Sequence, residues 1–204
     1  MGCKKGKCHR QALLAQFCYE HQKLECCMRK IRKNAEELCK ILDSMPPKKE
    51  KGPEKLPWGS RETDPRCCAL KIQLDRAVRA AWEAGATTFA CGLARGCDFY
   101  FAEAVLRLQE QAEGISLEAW IPCPEQPNRW KEPDQARYRT LLTRCSRVHV
   151  VEPAYAPGCM LRRNRAMLQA ADWLISVYDG SGGGTGAAVA YANRLGLPVE
   201  AIWL

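Results

Sequence analysis

One stretch constrains this chain more than any other: Asp172-Trp-Leu-Ile-Ser-Val-Tyr-Asp-Gly-Ser-Gly-Gly-Gly-Thr-Gly-Ala-Ala-Val-Ala-Tyr191. Trp173 to Tyr178 are apolar except for Ser176, the pattern of an inner strand in a parallel sheet. Gly180 and Gly182 to Gly184 lack a Cβ, so the backbone turns sharply and approaches a neighbour closely. Ala187 to Ala192 then predict a helix whose first N–H groups point back into the turn. Such a turn is either a tight strand-to-helix connection or, through its free N–H groups and the helix dipole, an anion site for a phosphate. Neither a Gly-Lys-Ser/Thr P-loop nor a GxGxxG dinucleotide fingerprint is present.

The residues before this stretch repeat the same alternation. Asp64 and Pro65 start a predicted helix running to about Ala84, with Leu70, Leu74, Ala77, Val78 and Ala81 on one face, and Gly85 ends it. Strands are predicted at Thr87–Cys91, Leu117–Ile121 and Val148–Val151, and a last one over Pro198–Leu204. Helices are predicted at Cys97–Gln111, Asp134–Arg144 and Gly158–Ala171. This order implies an α/β fold, a Rossmann-like doubly wound parallel sheet with helices on both faces. Ligands in that architecture sit at the carboxyl ends of the strands. The loops to watch are therefore 91–98, 122–130, 152–163 and 179–186.

The first loop, Cys91-Gly-Leu-Ala-Arg-Gly-Cys-Asp98, carries Gly92 and Gly96 for close backbone approach. Asp98 sits where a helix N-cap is expected, to cap free N–H groups or to take a ribose hydroxyl. Glu103 lies further along the same helix, facing either the pocket or solvent. The third loop runs into Met160-Leu-Arg-Arg-Asn-Arg-Ala-Met167, where arginines offer planar, permanently charged donors to phosphate or carboxylate. Helical geometry lets only one or two of Arg162, Arg163 and Arg165 face a site.

The N-terminal part differs in kind. Of the formal net charge of +8, +7 belongs to residues 1–55 and +1 to residues 56–204. That asymmetry fits a solvated helix face or an acidic partner such as nucleic acid. Cys3, Cys8, Cys18 and His21 have the spacing of a small tetrahedral zinc module, and a short segment with few large apolar residues needs such help to fold. The spacing resembles short zinc-binding segments of phage and HNH-associated proteins. Leu24, Cys27, Ile31, Leu38 and Ile41 recur at helical spacing over 22–42, a helix suited to packing on the domain or to pairing in a homo-oligomer. Ser44 to Pro57, with four prolines and many lysines, reads as a linker. The domain reading is thus a cysteine-rich basic arm at 1–43, a linker at 44–57 and an α/β domain at 58–204. No apolar run long enough to span a membrane and no apolar leader is present, so the expected location is cytoplasmic. There the 13 cysteines serve as thiols or metal ligands rather than disulfides.

Five stretches together resemble the SLOG superfamily, in particular its YpsA-like branch: Pro-Glu-Lys-Leu-Pro-Trp-Gly (53–59), Cys-Gly-Leu-Ala-Arg-Gly-Cys-Asp-Phe-Tyr-Phe-Ala-Glu-Ala (91–104), Ile-Pro-Cys-Pro (121–124), Arg-Arg-Asn-Arg-Ala-Met (162–167) and Asp-Gly-Ser-Gly-Gly-Gly-Thr (179–185). The resemblance implies a Rossmann-like domain that binds a nucleotide or nucleotide-derived small molecule. Its candidate ligand-binding residues are Gly92, Gly96, Asp98, Glu103, Arg163, Asn164, Asp179, Gly182, Gly183, Gly184 and Thr185. Relatives include cytokinin-activating phosphoribohydrolases and a DNA-processing protein that loads recombinase onto single strands. In the phosphoribohydrolases the motifs are Met-His-x-Arg-Lys-x-x-Met and Pro-Gly-Gly-x-Gly-Thr-x-x-Glu. Here Met160, Arg163 and Met167 match the first, while Leu161 and Asn164 replace its His and Lys. Gly182 to Thr185 resemble the second, but Ala188 stands where those enzymes carry the catalytic Glu. Glycoside cleavage passes through an oxocarbenium-like state that needs a carboxylate, so the replacement favours binding over hydrolysis. The alternatives are a phosphoribohydrolase-like hydrolase with a relocated carboxylate, Glu103 or Asp98, and a nucleic-acid-binding protein acting through the basic arm. The resemblance also implies an apolar first strand before residue 53. Pro46-Pro-Lys-Lys-Glu-Lys-Gly52 cannot supply one, so the first strand is expected to be missing.

Overall fold

The computed structural model describes residues 56–59 and 61–204. The chain divides into two units, Met1–Lys49 and Glu50–Leu204, and all described residues belong to the second. Ten elements follow one another as α1 Pro65–Glu83, β1 Thr88–Cys91, α2 Cys97–Gln109, β2 Ser116–Ile121, α3 Glu132–Arg144, β3 Arg147–Val150, α4 Cys159–Gln169, β4 Leu174–Tyr178, α5 Gly184–Leu195 and β5 Val199–Trp203. This is the expected α/β alternation, with every strand pairing parallel.

Local chemistry sets the ends. The Asp64 carboxylate accepts from the Arg66 N–H at 3.0 Å, and Pro65, which has no N–H to satisfy, opens α1. Cys67, Leu70, Leu74, Ala77, Val78 and Ala81 form its buried stripe. One end differs from expectation in a way that matters. α5 begins at Gly184 rather than Ala187, so part of the glycine-rich turn is itself the first turn of the helix.

The helices form two layers. α1 packs on α2 and α2 on α3, while α4 packs on α5. α2 lies against β1 and β2, α4 against β2, and α5 against β4 and β5. One core fills the space between, with Leu74, Val78, Phe99, Val105 and Leu117 almost fully buried, and Ile175 and Val177 of β4 pack against it. Trp58, at the start of the described chain, is buried in the same core, and Leu56 packs on it.

Among the described residues the strands do not form one ladder. β1-β2-β3 make one sheet and β4-β5 another. In a doubly wound order the first strand lies between the two halves and bonds to both. Among the described residues no strand precedes α1, and β1 and β4 therefore share no hydrogen-bonded neighbour.

Candidate functional site

The carboxyl ends of β1 and β4 each run into a glycine-bearing loop that opens a helix. In the first, β1 ends at Cys91 and the chain passes through Gly92, Leu93 and Gly96 into α2. Leu93 holds a left-handed φ of 47°, rare for a side-chain-bearing residue, while fully buried. Gln126 fixes it there: its Nε2 donates to the carbonyls of Gly92 at 3.1 Å and Leu93 at 2.9 Å. Gly96, with φ 89°, occupies the N-cap position of α2. This corrects the expectation for Asp98. It stands inside the first turn of α2, and its Oδ2 reaches back to accept from the Ala94 N–H at 3.0 Å.

Arg163, on α4, reaches into this loop. The residue is 5% exposed, and Nη1 donates to the Trp120 carbonyl at 3.2 Å and lies 3.8 Å from Asp98 Oδ2. Its Nε is buried and has no partner. A Cβ on Gly92 would fall 1.0 Å from Arg163 Nη1, so glycine there is a requirement of packing. Asn164 follows on α4 and is half-buried. The neighbouring Arg162 points elsewhere, donating to Glu152 at 2.6 Å and to the Pro157 carbonyl at 2.9 Å in an exposed position.

Glu103 is half-buried and engaged by an arginine. The Arg137 guanidinium donates to both its oxygens, at 2.7 and 2.8 Å, and also to Glu62, which Lys71 bonds in turn. Burial raises the Glu62 carboxyl, but the hydrogen bonds from Arg137 and Lys71 outweigh it and hold it below the usual range. The cluster ties the 61–64 turn to α1, α2 and α3. It was not legible from spacing, because its partners lie 34 and 75 residues apart in sequence.

The second loop, after β4, is built differently. Asp179 Oδ1 accepts from the Ser181 N–H at 2.9 Å, and hydrogen bonds from Ser181 hold the exposed carboxyl below its ordinary value. Gly180 has φ +82°. A Cβ on Gly186 would lie 2.8 Å from the Ser181 carbonyl. These two glycines are demanded by the fold. Gly182 and Gly184 are not: a Cβ on either would meet nothing within 4 Å, and neither has a left-handed φ. Gly183 holds the N-cap position of α5 in an extended conformation, with no side-chain cap, and Thr185 is half-buried in the first turn. Ala188 lies one turn further along α5.

Two further chemistries are constrained. Burial and the nearby Asp98 carboxylate push the Cys91 thiol at the end of β1 far up, and burial raises Cys145 to about 11. Neither is a thiolate at neutral pH. Among the described residues no group of three His, Cys, Asp or Glu is placed to hold a metal. Cys3, Cys8, Cys18 and His21 lie outside the described residues. No helix among the described residues is long and apolar enough to cross a membrane.

Parallel strands between two helix layers, with glycine loops and a buried arginine at the carboxyl ends, define an α/β protein of the Rossmann-like class. Comparison with known sequences is more specific: residues 60–193 match the YspA SLOG family, and the chain belongs to that family. A UPF0398 protein of Bacillus pumilus is 26% identical over 121 residues, 58% of this chain and 65% of that protein. One from Lysinibacillus sphaericus is 24% identical over 117 residues, 56% and 65%. One from Halalkalibacterium halodurans is 25% identical over 112 residues, 54% and 59%. The matches thus span somewhat less than two thirds of each of these relatives.

Proposed function

We propose that the domain is a SLOG-type binding or sensor protein for a nucleotide or nucleotide-derived ligand, with the ligand's phosphate held at the carboxyl edge by the glycine-rich turn 180–186 and by Arg163. The observation that carries this reading is the state of Arg163. A guanidinium has five N–H donors. Here it is buried, makes one hydrogen bond and has its nearest carboxylate at 3.8 Å. A buried cation so poorly satisfied is costly, and an anion arriving at the site offsets that cost. The glycines at 182 and 184 support the same reading. Two glycines with open space where a Cβ would go leave room for something to approach the backbone.

Binding is favoured over N-glycoside hydrolysis. Ala188 lacks the carboxylate that reaction needs, and Glu103 and Asp98, the candidates to replace it, are engaged by Arg137 and by the Ala94 N–H. The test is thermal melting of the full chain with ribose 5-phosphate, inorganic pyrophosphate and mononucleotides. At least one phosphate compound raises Tm in the wild type and none does so in Gly183→Val, with circular dichroism checking that the variant folds. If no phosphate compound stabilises the wild type, the reading is wrong. Base release from a mononucleotide, lost in Glu103→Gln, would reverse the judgement on hydrolysis.

A further inference from the structure

The glycine turn has an aromatic neighbour that no motif pointed to. Trp203 sits at the end of β5, in register with Tyr178 at the end of β4. Their ring centroids are 5.7 Å apart at an interplanar angle of 37°. Tyr178 in turn lies against the turn's far end, its hydroxyl 3.4 Å from where a Gly186 Cβ would be. The Trp203 ring lies 3.7 Å from the Cβ position of Gly180. Both rings therefore flank the turn at the carboxyl edge of the sheet. Trp203 is also 64% exposed, the most exposed large hydrophobic side chain among the described residues. Tryptophan is on average a well-buried residue, and its exposed faces forgo apolar burial. Trp203 also lines an open groove of about 440 Å3, together with Arg76, Ala77 and Ala80 of α1 and Ile202 of β5.

We infer that Trp203, backed by Tyr178, is the stacking platform for the base of a free mononucleotide whose phosphate is held by the 180–186 turn. This rests on the phosphate reading above and deepens it: the ligand carries a planar, π-faced ring and is not a sugar phosphate alone. The two recognition elements are adjacent yet separate. The turn offers backbone N–H groups at an uncapped helix start, suited to an anion. The indole offers a flat apolar face, and stacking of that kind accepts any base. Gly180 and the glycines after it keep side chains from intervening between the two.

The experiment is calorimetric titration of the full chain with AMP, GMP, CMP, UMP and ribose 5-phosphate, for the wild type, Trp203→Ala and Trp203→Phe. In the wild type at least one mononucleotide binds about tenfold or more tightly than ribose 5-phosphate. In Trp203→Ala that advantage disappears, a loss of about 10- to 100-fold, while ribose 5-phosphate binds as before. Trp203→Phe retains most of the advantage. Circular dichroism melting checks that both variants fold, which an exposed side chain at the end of an edge strand leads one to expect. If ribose 5-phosphate binds as tightly as every mononucleotide, or if Trp203→Ala leaves the difference intact, the stacking inference is overturned and the phosphate reading survives. If neither ribose 5-phosphate nor any mononucleotide binds, the phosphate reading itself has failed.

Discussion

The loops after β1 and β4 are both glycine-bearing and both open a helix, but they spend their glycines on opposite things. In the first, the space left by Gly92 is occupied by the protein's own Arg163 guanidinium, and the backbone is fastened by Gln126 from beneath. In the second, Gly182 and Gly184 face open space. A glycine surrounded by the fold reports packing, and one surrounded by nothing reports a space left free. The same residue type in the same topological position is thus filled by a neighbour in one loop and, at Gly182 and Gly184, left open in the other. Only the neighbours distinguish them.

The largest effect expected from this contrast is at Gly92. Gly92→Ala puts a methyl carbon on top of Arg163 Nη1, so the arginine or the loop must move. The cost is about 1–3 kcal/mol or more, read as a lower urea midpoint, and the response to phosphate compounds is lost with it. An unchanged midpoint would break the comparison at its first term. Arg163→Met sharpens it. The variant keeps a long side chain in the slot and removes a poorly satisfied buried charge, so stability changes by about 1 kcal/mol or less while the phosphate-induced rise in Tm disappears. A large loss of stability with phosphate binding intact would make Arg163 a strut and not a ligand.

A smaller effect, present at neutral pH and lost in acid, concerns what holds the first loop's helix in place. The folded Glu62 carboxyl titrates below its unfolded value. Its contribution is therefore complete above the unfolded value, about 4.3, and is lost as pH falls through the folded one. Glu62→Gln removes that contribution, so wild-type and variant melting temperatures differ at neutral pH and converge in acid. A gap that stays constant with pH would show that Glu62 acts without its charge. The smallest effect is at Gly182. Gly182→Ala shifts stability by no more than about 0.5 kcal/mol in either direction, because nothing lies within 4 Å of the added carbon. A destabilisation as large as that of Gly92→Ala would erase the distinction between the two loops.

Much of the fold was legible because its signals are local. Asp64-Pro65, the apolar stripe from Leu70 to Ala81, and Gly85 and Gly196 just past α1 and α5 act on their own neighbourhood, and the structure follows them closely. The sites were less so. Gly92 and Arg163 are 71 residues apart in the sequence and meet because α4 crosses β2, which no spacing encodes. Spacing leaves Glu103 facing either a pocket or solvent, and its partner Arg137 is 34 residues away in the sequence. The sequence puts Asp98 where an N-cap is expected, but Gly96 with its positive φ holds that position and Asp98 falls two residues inside the helix. Gln126 and Trp203 had no sequence signal. One lies in a proline-rich loop, and the other reads as an ordinary strand residue.

The interruption between β1 and β4 bears on how motion passes through the domain. Within a sheet, a ladder of hydrogen bonds couples each strand rigidly to the next. Between the two sheets here, the coupling described is side-chain packing on a shared core, which permits sliding where a ladder does not. The two glycine loops sit one on each sheet, so a molecule touching both would act as a brace across that seam. Residues of β1 and β4 whose amides point away from their single partner strand also lack a ladder bond among the described residues. In native-state hydrogen exchange these amides should open ahead of those between β1 and β2 or between β4 and β5, and a bound ligand should slow them.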